Sequence, residues 1–437
     1  MNFKKLIFLA AFFLICKAYG QNSQIPSGLK DLVEQSFQKY PKIESMNQVV
    51  EMSRVQVDLA KDGYMPVASA SLSYRRLYPT PSITLPIATP PVNIQFTPSD
   101  NYNTGIDLIQ PIIDFGTGAK VGKAKSNLKT ATDNLESFKV QLAYQIAQIY
   151  YSILFIDQGI RVQEQQINLL KASLQQIKVK IQNGYALKYD LLSSQVQLTN
   201  TENYYADLQN QRNKQYNTLN MLTGRSDIDY ISDTNVNQEI FNVVTDSVIA
   251  IAVSNNPDLR IANDKIETAK WDIEAANRLR LPSLNLMAGT GFKNGYQPNI
   301  ETQKFNYYVG GIISIPIIPA TRPSKQRQLA EISMNTSKLD MNTQTLTLTN
   351  NVLNALRDVH NNEKKCATSG DLVNQAHLAF ELATQRYQDG VNTNLDLLTA
   401  QANYQNALLG KLQFEYNLLL SKMTVSQLIG NKWWQDK

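Results

Sequence analysis

The chain has 437 residues, with 43% hydrophobic and 18% charged side chains and a formal net charge of +5, a length that would fill two or three ordinary domains. Three of the surplus positive charges, Lys4, Lys5 and Lys17, fall in the first twenty residues. The remainder is nearly neutral and has no basic patch, which excludes nucleic acid as a partner.

Residues 1–20 read as an export signal. Lys4 and Lys5 precede the apolar run from Leu6 to Cys16, and Ala18-Tyr19-Gly20 forms a cleavage site before Gln21. The run is about half the length of a spanning helix, and no later stretch approaches 18 apolar residues. An exported chain without an anchor is destined for the periplasm, the exterior or an outer-membrane barrel. Cys366 is then the only cysteine, so no intrachain disulfide is expected.

The mature chain is written twice. Pro41 and Pro66 recur as Pro257 and Pro282, and Gly184, Asp190, Gln195 and Gly224 recur as Gly390, Asp396, Gln401 and Gly430. The expected organisation is a first repeat over 21–224, a linker or collar over 225–241, a second repeat over 242–430 and a short tail over 431–437. In each repeat a helix broken by proline (28–62; 246–281) leads to a strand. Strands are expected at about 67–76, 102–110, 283–292 and 305–315. They alternate: Ala68, Ala70, Leu72 and Tyr74 oppose Ser69, Ser71, Ser73 and Arg75, and Tyr102, Ile106 and Leu108 oppose Asn103, Gly105 and Asp107. One apolar and one polar face suits a barrel wall, and equally a soluble sandwich. Four strands cannot close a useful bore, and two isolated hairpins leave naked edges, which argues for an oligomer.

The proline-rich segment 77–101 is expected as a stiff extended loop, and Pro111 and Pro316 as the ends of the return strands. Long proline-free helices follow over 118–183 and 324–389, each on the order of 100 Å at about 1.5 Å per residue. Helices about half as long follow over 188–222 and 394–429. Their apolar residues recur in steps of three and four, as in Leu142, Ile146, Ile149 and Ile153, the spacing of helices packed side by side. This order suggests a tube rather than a pocket. Tyr64, Tyr74, Tyr102, Tyr307 and Tyr308 are candidates for membrane-interface belts. Trp433 and Trp434 read as packing or interface residues. His360, His377 and Cys366 have no metal-ligand spacing, and no nucleophile, base and orienter group together. Neither an enzyme nor a cofactor is expected.

Asn183-Gly184-Tyr185 through Asp190-Leu191-Leu192, closed by Leu222-Thr223-Gly224, and Gly390-Val391-Asn392-Thr393-Asn394-Leu395-Asp396-Leu397-Leu398, closed by Leu428-Ile429-Gly430, resemble the two turns and returning helices of the outer-membrane efflux protein family, the TolC-like channels. Gln110-Pro111, Asn256-Pro257 and Leu281-Pro282 are further landmarks, and the resemblance covers nearly the whole mature chain. It implies a mainly α fold with a membrane β-barrel: a homotrimer with a 12-stranded barrel, four strands per chain, continued by a long α-helical barrel of coiled-coil hairpins. It implies a passive exit duct in the outer membrane of a Gram-negative bacterium, set in lipid and reaching into the periplasm. There it would serve a periplasmic adaptor (membrane fusion protein) and an inner-membrane RND or ABC transporter. The alternative is a trimeric coiled-coil adhesion protein, against which the duplicated hairpins argue.

The resemblance also implies roles for residues. Gly184, Tyr185, Ala186, Leu187, Gly390, Val391 and Asn392 would form adaptor-docking tips, Tyr185 being bulkier than the leucine usual there. Asp190, Asp396 and Thr399 would lie at the periplasmic constriction, with Asp396 forming an acidic ring. Thr399 stands where the family sometimes has a second acid and Asn392 where it sometimes has a basic residue, so the family's charge-pair latch does not carry over. On the polar strand faces, Asp107 and Arg75 are candidates to line the barrel.

Overall fold

The computed structural model describes residues 27–87, 89–225, 228, 231, 248–317 and 321–435. The expected export signal lies outside these, as does most of the expected linker.

Helices α1 (Ser27–Lys39) and α2 (Pro41–Lys61) lead to strand β1 (Val67–Arg76). Pro41 is the first residue of α2, where its missing N–H costs no hydrogen bond and its fixed φ suits a helix. Strands β2 (Ser82–Leu85), β3 (Val92–Gln95) and β4 (Asp100–Ile113) follow, then α3 (Phe115–Gln182) and α4 (Lys188–Thr223). The second half runs α5 (Val248–Asn255), α6 (Pro257–Arg278), β5 (Ser283–Lys293), β6 (Lys304–Ser314), α7 (Thr321–Gln388) and α8 (Asn394–Leu428).

Of the described residues, one compact unit takes those up to Asn47, Asn134–Arg260 and those from Thr343; the other takes Gln48–Asp133 and Ile261–Asn342. Helices α3 and α7 pass through both.

The second unit carries a four-stranded antiparallel sheet in the order β1-β4-β5-β6, so β1 and β6 are open edges. The register aligns Ser69, Asp107, Gly289 and Tyr308 in one row, and Ala70, Ile106, Thr290 and Tyr307 in the next. Successive rows point to opposite faces. One face thus collects Leu72, Ile106, Phe305, Tyr307 and Val309, all exposed. The other carries serines, glycines, Asp107 and Tyr308. Gly105 and Gly291 are paired on this polar face, where a Cβ on Gly291 would stand 2.0 Å from the Thr104 carbonyl oxygen. Such an approach of backbone to backbone is open only to glycine.

Three expectations change. Segment 77–101 is not simply an extended loop: β2 and β3 form a hairpin within it, with Ile83 opposite Ile94 and Thr84 opposite Asn93. Its short alternating runs were hidden by the prolines that flank them. Pro111 does not end β4, which continues to Ile113 through a bulge between the two, where a missing donor is tolerated. Tyr308 falls on the face of Asp107, opposite to Tyr307, and so leaves the set of candidate belt tyrosines.

In the other unit Leu142, Tyr144, Ile146, Tyr150 and Ile153 of α3, Leu29 and Val33 of α1, and Leu419 and Met423 of α8 are buried. Trp433 and Trp434 are buried there. Trp434 stands edge-on to Phe37 at 5.9 Å, and Trp433 edge-on to Tyr144 at 6.4 Å. The Tyr144 hydroxyl donates to Ser426 Oγ at 2.7 Å, and burial raises its pKa. Both tryptophans are therefore packing residues. Each half closes alike: α4 and α8 end at Gly224 and Gly430, both with positive φ. A Cβ on Gly224 would meet Lys39 Cβ at 2.9 Å, and one on Gly430 would meet the Asn255 carbonyl oxygen at 2.7 Å.

Candidate functional site

Two helix reversals lie in the first unit. After α3, Tyr185 N–H donates to the Lys180 carbonyl at 2.8 Å and Gly184 N–H to that of Ile181 at 3.0 Å. After α7, Val391 N–H donates to Arg386 at 2.8 Å and Gly390 N–H to Tyr387 at 3.3 Å. These bonds satisfy carbonyls left over at a helix end and place Gly184 and Gly390 at φ 78° and 76°, where a side chain is strained.

Each returning helix then begins on an acid. Leu187 N–H donates to Asp190 Oδ2 at 2.9 Å. Thr393 N–H donates to Asp396 Oδ2 at 2.9 Å, and the Thr393 hydroxyl donates to the same oxygen at 2.7 Å. Carboxylates in a first helical turn also face the positive end of the dipole. The Thr393 hydroxyl, and after it the Thr393 N–H, hold the Asp396 carboxyl below its usual range. Thr399 turns its hydroxyl back to the Leu395 carbonyl at 2.8 Å, so its side chain satisfies its own helix.

The two reversals are joined by residues that sequence reasoning did not select. Asn394, buried, donates from Nδ2 to the Asp190 carbonyl at 3.2 Å and to Ser194 Oγ at 3.0 Å. Lys180 Nζ stands 4.0 Å above the Tyr387 ring, a cation–π contact. Burial, and next the charge of Asp190, raise the Tyr387 pKa. One signal in the sequence was available: Asn394 occupies the place of Lys188 in the first copy, a departure from the repeat. The apolar groups of the turns remain uncovered, with Tyr185 83% exposed, Leu187 69% and Val391 66%. Asn392 and Ala186 are half-buried beside them.

Asp107 and Arg75 belong to the sheet-bearing unit. The Tyr308 hydroxyl donates to Asp107 Oδ1 at 2.8 Å, crossing Gly289, where a Cβ would lie 2.3 Å from the ring. Arg75 is exposed further along β1, level with Asn101, and does not meet Asp107. Among the described residues no group of His, Cys, Asp and Glu is arranged to hold a metal ion, and no helix is long and apolar enough to cross a membrane.

Paired long helices, capped reversals and a sheet with an exposed apolar face recur in known proteins. The family model described as outer membrane efflux protein matches residues 32–225 and 248–431. The chain belongs to that family. As an outer membrane efflux protein it is an outer-membrane exit duct of efflux or secretion systems, reaching into the periplasm, a passive conduit and not an enzyme. It is 20% identical over 328 residues to the alkaline protease secretion protein AprF of Pseudomonas aeruginosa, covering 72% of this chain and 67% of that one. It is 21% identical over 329 residues to the pyoverdine export outer membrane protein OpmQ of Pseudomonas putida, covering 74% and 69%. Among solved structures it resembles CusC, with a TM-score of 0.77 at 16% identity over 95% of this chain and 96% of that one. It also resembles VceC of Vibrio cholerae, with a TM-score of 0.76 at 15% identity over 93% and 96%. The mainly helical fold is thus that of the TolC-like proteins.

Proposed function

We propose that three copies of this efflux protein close one 12-stranded barrel in the outer membrane and continue it as a helical tunnel that carries cargo from a periplasmic adaptor and an inner-membrane pump. The observation that carries this reading is the sheet: four strands, two open edges, an exposed apolar face and a polar face on which Gly105 and Gly291 are paired. Lipid covers the apolar face and water fills the polar one, and adding copies satisfies the edges. Asp107, held by Tyr308, and Arg75 then line the bore.

At the helix reversals the adaptor covers Tyr185, Leu187 and Val391, with Ala186, Asn392 and the backbone of Gly184 and Gly390 at the contact. Apolar groups this exposed are stabilised by a partner. Asp396 stands in three copies around the mouth, near Asp190 and Thr399, and attracts cations. The relatives are named for a protease and for pyoverdine, cargoes of unlike size, which supports a duct whose pump and adaptor select what passes.

The test is low-resolution imaging and mass measurement of the detergent-extracted protein. A threefold tube with a barrel at one end is expected. A monomer or a solid rod would overturn the duct assembly and favour the surface coiled-coil reading.

A further inference from the structure

The polar face of the sheet gathers its cations at one end. Lys293 of β5 stands directly opposite Lys304 of β6, in the row of Ser73 and Asn103. Arg75 lies two residues further along β1, level with Asn101 and so on the same face. This is the end of the sheet that carries the strand connections; the helices join the opposite end. Residues directly opposite on neighbouring strands have Cβ atoms about 5 Å apart, and like charges there are destabilising. The Lys293–Lys304 pair therefore opposes folding unless something lies between the two ammonium groups.

The sheet itself supplies no carboxylate for that place. Asp100 and Asp107 are the acids of the four strands. Asp107 lies four residues along β4 from the lysine row, about 13 Å away, and accepts from Tyr308. Asp100 lies on the apolar side, level with Arg76, and accepts from the Tyr74 hydroxyl at 2.8 Å. Segment 77–99 contains no charged residue. Among the described residues Arg75 and Lys293 form no ion pair. Lys304 Nζ donates to a neutral acceptor, the Gln297 carbonyl, at 3.2 Å.

We infer that Arg75, Lys293 and Lys304 form a binding site for a soluble multivalent oxyanion, a phosphate or polycarboxylate, at the strand-connection end of the bore. The inference rests on the ring of copies proposed above, in which these residues recur in every copy as a basic collar. Rings of arginine and lysine attract anions, and low-dielectric walls focus their field. An anion with two or more charges bridges Lys293 and Lys304 and removes their repulsion; the Arg75 guanidinium adds a planar fork suited to phosphate or carboxylate. The site faces water rather than lipid because its residues share the face of Asp107. Arg76, on the apolar side, has Asp100 beside it, with Nε 3.9 Å from Oδ1.

The test is current recording in planar bilayers at low salt, with inorganic tripolyphosphate added to one chamber and then to the other. Block of the wild-type current is expected from one side and should fade as salt is raised. Lys293→Gln with Lys304→Gln should raise the half-blocking concentration about tenfold. Either single glutamine variant should raise it severalfold and gives the reading if the double variant does not assemble. Arg76→Gln, one residue from Arg75 on the opposite face, should leave the block as it is. Block that survives the lysine substitutions but is lost in Arg76→Gln would overturn the site and place the anion at the lipid-facing rim. A wild-type current blocked from neither side, or equally from both, overturns the collar and leaves the duct intact. Failure of the wild-type protein to form any conducting pore overturns the duct and the collar together.

Discussion

The hydroxyl of Tyr308 donates to the carboxylate of Asp107 across the full width of strand β5, at 2.8 Å. The two residues are 201 positions apart in sequence and share one row of the sheet only because β5 lies between their strands. Gly289, the residue crossed, is the one whose missing side chain lets the ring through.

Glycines of this sheet are expected to differ sharply in tolerance. Gly291→Ala would set a Cβ 2.0 Å from a backbone oxygen and Gly289→Ala one 2.3 Å from the Tyr308 ring, whereas Gly310→Ala meets nothing within 4 Å. A side chain yields more readily than backbone. The order of damage should therefore be Gly291→Ala, then Gly289→Ala at about 1–3 kcal/mol, then Gly310→Ala near neutral. The yield and denaturation temperature of assembled protein check it, and a damaging Gly310→Ala would contradict it.

The glycines of the helix ends should separate into two classes. Gly184→Ala and Gly390→Ala bring conformational strain alone, about 1–2 kcal/mol, since nothing lies within 4 Å of either. Gly224→Ala and Gly430→Ala add collisions with Lys39 and Asn255 and should cost more. Denaturant titration of the four variants measures the difference.

Asp396 predicts a specific pH response. Its folded pKa is depressed, chiefly by the hydrogen bond from the Thr393 hydroxyl. The capping contribution is therefore fully present above the ordinary Asp value of about 3.9 and is lost as pH falls through the lower folded value. Amide protection at the start of α8, followed by hydrogen exchange, should hold from pH 7 to 5 and decline only in more acidic solution. Asp396→Asn should abolish that dependence. In bilayer recordings the same variant should weaken the preference of the channel for cations.

Trp433, 1% exposed, fills the space beside Tyr144 and Trp434. Trp433→Ala should cost about 3–5 kcal/mol, as a large core truncation does, while Trp433→Phe retains most of the packing. Deleting the last residues from Lys432 onward should be as harmful as the alanine variant, measured by thermal unfolding. Equal stability of deleted and intact chains would show that the tail is a surface appendage.

The family, the order of elements and both helix reversals were legible in the sequence because each is written in local signals. Alternation with period two marks β1, long proline-free stretches mark α3 and α7, and Gly184 and Gly390 stand where the backbone must turn left-handed. The repeat doubled every one of these signals, so that Asp190 and Asp396 were found together.

Tertiary structure decided the partners. Periodicity reports which side of an element a residue occupies; it does not report what lies across from it. Asn394 looked like an ordinary polar residue of a turn, and only the approach of α8 to α4 buried it against Asp190 and Ser194. Tyr308 passed for a belt tyrosine because an aromatic ring serves lipid and water interfaces equally; the register of β5 placed it over Asp107. The β2–β3 hairpin was hidden because prolines bracket two strands of four residues each, too short for a period to emerge. Trp433 and Trp434 follow the last long helix with no pattern around them, and their burial depends on Tyr144 and Phe37, which the sequence sets hundreds of residues away. Local chemistry therefore determined the elements and where they end. The pairing of faces between distant elements, on which the core, the rows of the sheet and the turn contacts depend, was settled only by packing.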